Sequence, residues 1–169
     1  MTTPRKLCAI VLFIGLSVRL SAQTPPVKED LSDQIITGAW GDPTKCNLTN
    51  ASPVLFADAA RDGGAVSGAC VSITAYWKGG AVYANKADAE LAKSVVTSRL
   101  RGRRVGIYAD ERTFVTAPRH PTPFTVVGTY ASCKTEWPGA MMVLGYCHFS
   151  DGPFLKVSQT QSARRRDVR

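Results

Sequence analysis

Few residues in this chain of 169 have the means to do chemistry. His148 and Asp151 stand three apart, and Glu136 is a second carboxylate nearby, so a small secreted hydrolase would be assembled from His148 with Asp151 or Glu136. Such a dyad needs a hydrogen bond between imidazole and carboxylate and a nucleophile at the other ring nitrogen. Ser132, Ser150 and Ser158 are the hydroxyls at hand, and none sits in a recognisable nucleophile elbow. A histidine packed or solvated beside Cys147 accounts for the same residues without catalysis. His120, the second histidine, falls in a Pro-rich stretch. A carboxylate pair for glycoside hydrolysis would have to be gathered from Asp110, Glu136 and Asp151, which are far apart in sequence. The glycine pairs Gly63-Gly64 and Gly79-Gly80 lack the helix and lysine of a phosphate loop.

A second group of residues suits binding. Tyr76, Trp77, Tyr83 and Tyr108 are followed or interleaved by Arg101, Arg103 and Arg104. Ring stacking with cationic contacts fits an anionic polymer, a glycan or an envelope protein as ligand. Two competing assignments use the same residues: two or three of the rings fill a core, and the arginines form a solvated loop feeding a strand over 104–109.

The compartment is set by the first residues. Arg5 and Lys6 precede an apolar run, Leu7 to Val18, followed by Ser21-Ala22-Gln23, a signal-peptide pattern with cleavage expected after Ala22. The run is shorter than the ~20 residues a membrane helix needs. Arg19 between the run and the cleavage site leaves an uncleaved anchor as the alternative, and Cys8 lies too early for a lipoprotein. The expected location is secreted or periplasmic, with no membrane span after cleavage, and the chain is expected to be monomeric. Removing 22 of 169 residues leaves 147, enough for one domain. Without Arg5, Lys6 and Arg19 there remain 18 basic and 13 acidic residues, a net of +5. The stretch Arg164 to Arg169 supplies +3 of this, so the body carries too little charge for a nucleic-acid surface.

Cys46, Cys70, Cys133 and Cys147 remain in the exported chain. An even number in an oxidising compartment reads as two disulfides, with three pairings open. Cys133–Cys147 with Cys46–Cys70 is preferred because the first pair lies on runs expected to be neighbours. The cysteines lack the close paired spacing of a metal site, and no metal or cofactor is expected.

The elements that must carry these residues follow from local pattern. Residues 23–52 read as an N-terminal extension and a turn-rich loop tied down by Cys46; Asn47-Leu-Thr49 and Asn50-Ala-Ser52 fit the glycosylation pattern but are read as turn residues. Pro53 to Ala60 is a short helix or an extended segment. In 69–77, Val71, Ile73, Ala75 and Trp77 alternate with Cys70, Ser72, Thr74 and Tyr76, the period of a half-buried strand. Lys78-Gly-Gly80 turns it into a return strand over 81–84. Asn85 resembles an N-cap with Asp88 three residues on, starting a helix at Lys86. Further strands are expected over 104–109, 124–130, 143–149 and 154–157, with a polar turn at 110–112, and the basic tail 159–169 is expected to be disordered.

This order predicts a mainly β (α+β) domain over 53–158, either an OB-like partly open antiparallel barrel with one short helix, disulfide-stapled, or another small α+β roll. The stretch Gly68-Ala-Cys-Val-Ser-Ile-Thr-Ala-Tyr-Trp77 followed by Gly79-Gly-Ala-Val-Tyr83 resembles the first hairpin of small exported bacterial proteins with an OB-like fold. In such proteins the helix usually lies between the third and fourth strands, whereas here the expected helix follows the second. The resemblance implies a binding or interaction module, with a strand face and its adjoining loops as the ligand surface.

Overall fold

The computed structural model describes residues 35–36, 40–61, 65, 67–91, 100–137 and 142–168. The segment read as a signal peptide, 1–22, and the residues 23–34 after it lie outside the described residues. In chain order the elements are β1 (Ile35–Ile36), β2 (Ser52–Pro53), α1 (Phe56–Ala59), β3 (Cys70–Lys78), β4 (Ala81–Tyr83), α2 (Lys86–Leu91), β5 (Arg104–Tyr108), α3 (Glu111–Val115), β6 (Thr122–Ser132), α4 (Cys133–Glu136), β7 (Met142–Val143) and β8 (Pro153–Ser162). Short 3-10 turns cover Tyr146–Phe149 and Arg165–Asp167.

β3 follows the alternation expected of it. Val71, Ile73, Ala75 and Trp77 are buried in the main core with Val82, Val105, Ile107, Val126, Tyr130, Leu155 and Val157. These are the inward positions of five strands, and the strands close on themselves: β3 pairs with β4, β4 with β5, β5 with β8, β8 with β6, and β6 returns to β3 from Cys70↔Thr129 to Trp77↔Thr122. Only β5 and β8 run parallel among these pairs. Numbered along the chain, the five barrel strands neighbour one another as 1-2-3-5-4-1, the OB-like arrangement, closed rather than partly open. α3 falls between the third and fourth barrel strands, where the resemblance places a helix; it replaces the plain turn expected at 110–112. Asp110 starts it, accepting the Thr113 amide at 2.8 Å. The helix α2 also forms, with the Asp88 amide donating to Asn85 Oδ1 at 2.9 Å.

One end of the barrel is closed by α1. Phe56, Ala59 and Ala60 join the core, and the Tyr130 hydroxyl donates to the carbonyls of Ala59 and Arg61. The loop 40–51 lies against the barrel: the Gly41 amide donates to Val157 O, and Ser158 Oγ donates to Cys46 O at 2.6 Å. Cys46 ties it down, as the sequence suggests. Asn47 and Asn50 spend their side-chain amides on the carbonyls of Pro43 and Lys45, so both act as turn residues. The disulfides are Cys46–Cys70 and Cys133–Cys147, each with Cα atoms 5.4 Å apart, the pairing preferred from sequence.

Two expectations are corrected. Residues 143–149 are not a barrel strand: β7 ends at Val143, Gly145 takes φ +84°, and a 3-10 turn follows. The cause is the Tyr108 hydroxyl, which donates to Leu144 O at 2.7 Å and accepts the Cys147 amide at 3.0 Å, a bridge that bends the backbone between them. Nor is the tail disordered from 159. β8 continues to Ser162, pairing Gln159 to Ser162 with Val127 to Phe124, and Arg164 to Asp167 form a capped turn. Polar composition signalled disorder, but ladder hydrogen bonds are made by backbone and need no apolar side chains.

Candidate functional site

Between β6 and β8 the described residues 133–137 and 142–152 hold α4, β7 and the first 3-10 turn, and the turn lies on the outer face of β5. The backbone closes the base of this loop, Cys133 N donating to Gly152 O at 3.0 Å. Its underside is aromatic. Trp137 stacks on Phe154 with ring centroids 5.2 Å apart, and both meet Tyr108 edge-on at 5.2 and 5.0 Å. Phe154 is fully buried although it points away from the barrel interior, because this second core lies outside the barrel wall.

Tyr146 is the contact that seats the loop. A Cβ placed on Gly106 would lie 2.1 Å from the Tyr146 ring, so the ring rests directly on the bare backbone of β5. The Arg104 guanidinium lies over the other part of this ring, 5.0 Å from its centroid, and approaches Phe149 O at 3.5 Å. Burial raises the Tyr146 phenol above its ordinary range, while Ser150 and Arg104 act in the opposite direction. Burial likewise raises Tyr83, against the nearby Arg104 charge, and Tyr108, against its bond from the Cys147 amide. The three phenols are therefore neutral at physiological pH. Gly106→Ala is expected to cost about 1–3 kcal/mol through overpacking against this ring. Urea unfolding checks it, and in a Tyr146→Ala background the same substitution is expected to cost almost nothing.

Two concavities meet along Arg104, Tyr146 and Phe149. One is a basin of about 1060 Å³ whose lining includes Arg61, Arg101, Arg104, Lys134 and His148, with Asp151 as its one carboxylate among the described residues. Arg61 is paired with Asp58. Arg101 and Lys134 are exposed and hold no ion pair among the described residues. The other is a groove of about 460 Å³ with a mainly apolar lining, to which Ala81, Tyr83, Tyr108 and Leu144 contribute. It lies over β4 and β5 and reaches Gly80 in the β3–β4 turn, which is the region OB-like barrels use for ligands.

The binding residues expected from sequence divide accordingly. Arg101 and Arg104 meet on the basin, and Tyr83 and Tyr108 line the groove. Trp77 is in the core, its indole N–H donating to Gly79 O at 2.7 Å, and Tyr76 is buried opposite Tyr83, so neither offers a ring to a ligand. Arg103 reaches back to the buried Asp88 carboxylate at 3.2 Å and serves the start of α2. Tyr146, Phe149, Leu144 and Lys134 were not foreseen; the signal available was the outward glycine at 106 between Arg104 and Tyr108, a gap in a strand face that some ring must fill.

The hydrolase constellation is not assembled. His148 is exposed with its ring edge-on to Phe149 at 4.5 Å, and no hydrogen bond or ion pair joins it to Asp151 among the described residues. Glu136 is paired instead with Lys156, whose ammonium pKa is lowered by burial, and Asp110 is occupied by its own Thr113. Among the described residues no group of three or more His, Cys, Asp or Glu is placed to hold a metal.

Fold and site together define a small disulfide-stabilised OB-like β-barrel with a loop-covered strand face. Comparison with protein-family models, with curated proteins and with solved structures finds no match. Two disulfides, and no helix among the described residues long and apolar enough to cross a membrane, are compatible with an extracellular or otherwise oxidising compartment.

Proposed function

We propose that this protein is an exported binding module that holds an anionic component of the cell envelope in the basin beside Arg104. The observation that carries the reading is the charge of the basin: among the described residues Arg101, Arg104 and Lys134 line it without an ion-pair partner, Arg61 is paired with Asp58, and Asp151 is the one carboxylate in the lining. A concave surface with one sign of charge concentrates ligands of the other. A guanidinium has five donors, and Arg104 directs one at Phe149 O, so donors remain for carboxylate, sulfate or phosphate oxygens. Export is supported by Arg5-Lys6 ahead of the Leu7 to Val18 run and by the two disulfides.

The test uses inorganic pyrophosphate, titrated calorimetrically at low ionic strength. Arg101→Gln/Arg104→Gln/Lys134→Gln is expected to lose at least tenfold in affinity, since charge-assisted hydrogen bonds contribute about 1.5–3 kcal/mol each. Arg164→Gln/Arg165→Gln/Arg166→Gln, which alters the basic turn after β8, is expected to leave the affinity unchanged. Binding that survives the first variant, or that follows the second, would show the basin to be the wrong place.

A further inference from the structure

Resting on that reading, we infer that the anionic ligand is a single-chain amphiphile, its head in the basin and its alkyl chain in the groove over β4 and β5. The two concavities share Arg104, Tyr146 and Phe149, so a cationic surface and an apolar one meet at one rim. Phe149 stands on this rim 61% exposed, and Leu144 on the groove side is 46% exposed. Exposed large apolar side chains beside a concave apolar surface mark a place where apolar matter is taken up. The groove, about 460 Å³, is within the range of small-molecule sites, about 300–1000 Å³.

The loop between β6 and β8 decides against an extended polymer. In an open OB-like face a glycan or nucleic acid runs along the sheet, but Tyr146 sits on Gly106 in the middle of β5 and divides that face. What is left is a charged compartment on one side and an apolar one on the other. A molecule with one charged end and one flexible apolar end satisfies both by passing over the Arg104–Phe149 rim. Arg104, whose guanidinium lies over the Tyr146 ring, lines both spaces, and an arginine can offer its alkyl stem to apolar matter while its head meets charge. The concave, divided shape fits a free monomeric amphiphile and not a lipid lamella.

The experiment compares dodecyl phosphate, inorganic phosphate and dodecyl maltoside, each below any micelle concentration, with the mature chain. Each buried methylene multiplies affinity about fourfold, so a chain with four methylenes in the groove is expected to bring dodecyl phosphate on the order of a hundredfold below inorganic phosphate in Kd. Leu144→Ser, on the groove side alone, is expected to remove much of that gain while leaving phosphate affinity unchanged, and Phe149→Ser, on the shared rim, to reduce the gain further. Arg104→Gln is expected to weaken both phosphates. If dodecyl phosphate binds no more tightly than inorganic phosphate, or if the chain adds affinity only on phosphatidylglycerol vesicles, the amphiphile inference is overturned and the anionic basin stands. If dodecyl maltoside binds as well as dodecyl phosphate, head charge is irrelevant and the anionic reading itself falls.

Discussion

Trp77→Ala is expected to cost about 3–5 kcal/mol of stability, the range for emptying a buried Trp site. The indole is 1% exposed, packs edge-on against Phe124 with centroids 5.1 Å apart, and donates its N–H to Gly79 O in the turn between β3 and β4. Truncation therefore opens a cavity at one end of the barrel and also leaves the Gly79 carbonyl without this donor. Taken against a typical total of about 5–15 kcal/mol, the loss brings the domain close to unfolding. A urea titration is expected to show the midpoint falling by about 2 M, given slopes of about 1–3 kcal/mol per M. Trp77→Phe keeps most of the apolar volume and is expected to fall between the two. A ring that served as a surface platform for ligand would give a different result, since surface substitutions away from special features stay within about 0.5 kcal/mol. An unchanged midpoint in Trp77→Ala would place the indole outside the core and overturn the description of this end of the barrel.

Trp77 also shows what can be read in one chain and what cannot. Its place on one face with Ala75, Ile73 and Val71 is a local pattern, and the strand, its glycine turn and the Asn85 cap of α2 were all legible because each is decided within a few residues. The disulfide pairing agrees with the preferred one although its premise of neighbouring strands fails, since Cys133 opens α4 and Cys147 lies in the 3-10 turn. Which face of the strand is inward was not decided by the alternation: Tyr76 and Trp77 lie on opposite faces and both are covered, Trp77 by the barrel interior and Tyr76 on the outer side opposite Tyr83.

The site was hidden for a related reason. Arg101, Arg103 and Arg104 look equivalent in the chain, yet one is free on the basin, one is committed to Asp88 and one lies on Tyr146. Their fates depend on partners 15 and about 40 residues away. The contact of Tyr146 with Gly106 is likewise long-range, and no local propensity marks the 3-10 turn that aims the ring. The last stretch of β8 escaped because its partner is Phe124 to Val127, about 35 residues earlier, and its own polar side chains give no burial pattern to announce the pairing.

Removing either disulfide is expected to cost about 3 kcal/mol, because the loops closed span 24 and 14 residues and chain entropy varies only slowly with loop length. The functional consequences should nevertheless diverge. Cys46–Cys70 ties the loop 40–51 to the start of β3, and neither cysteine lines the basin or the groove. Cys133–Cys147 joins the first residue of α4 to the 3-10 turn that carries Tyr146, His148 and Phe149. In Cys133→Ala/Cys147→Ala that turn is held to the barrel by non-covalent contacts, among them the Tyr108 hydroxyl, Arg104 and the Tyr146 ring on Gly106, which now have to offset the entropy of a freed loop. The rim shared by basin and groove is then no longer pre-organised, and dodecyl phosphate affinity is expected to fall at least tenfold. Cys46→Ala/Cys70→Ala, equally destabilised by urea titration, is expected to bind as the parent does at temperatures where both remain folded. An equal loss of binding in the two variants would mean that affinity follows global stability, and the turn at Tyr146–Phe149 would lose its claim to be the element that builds the site.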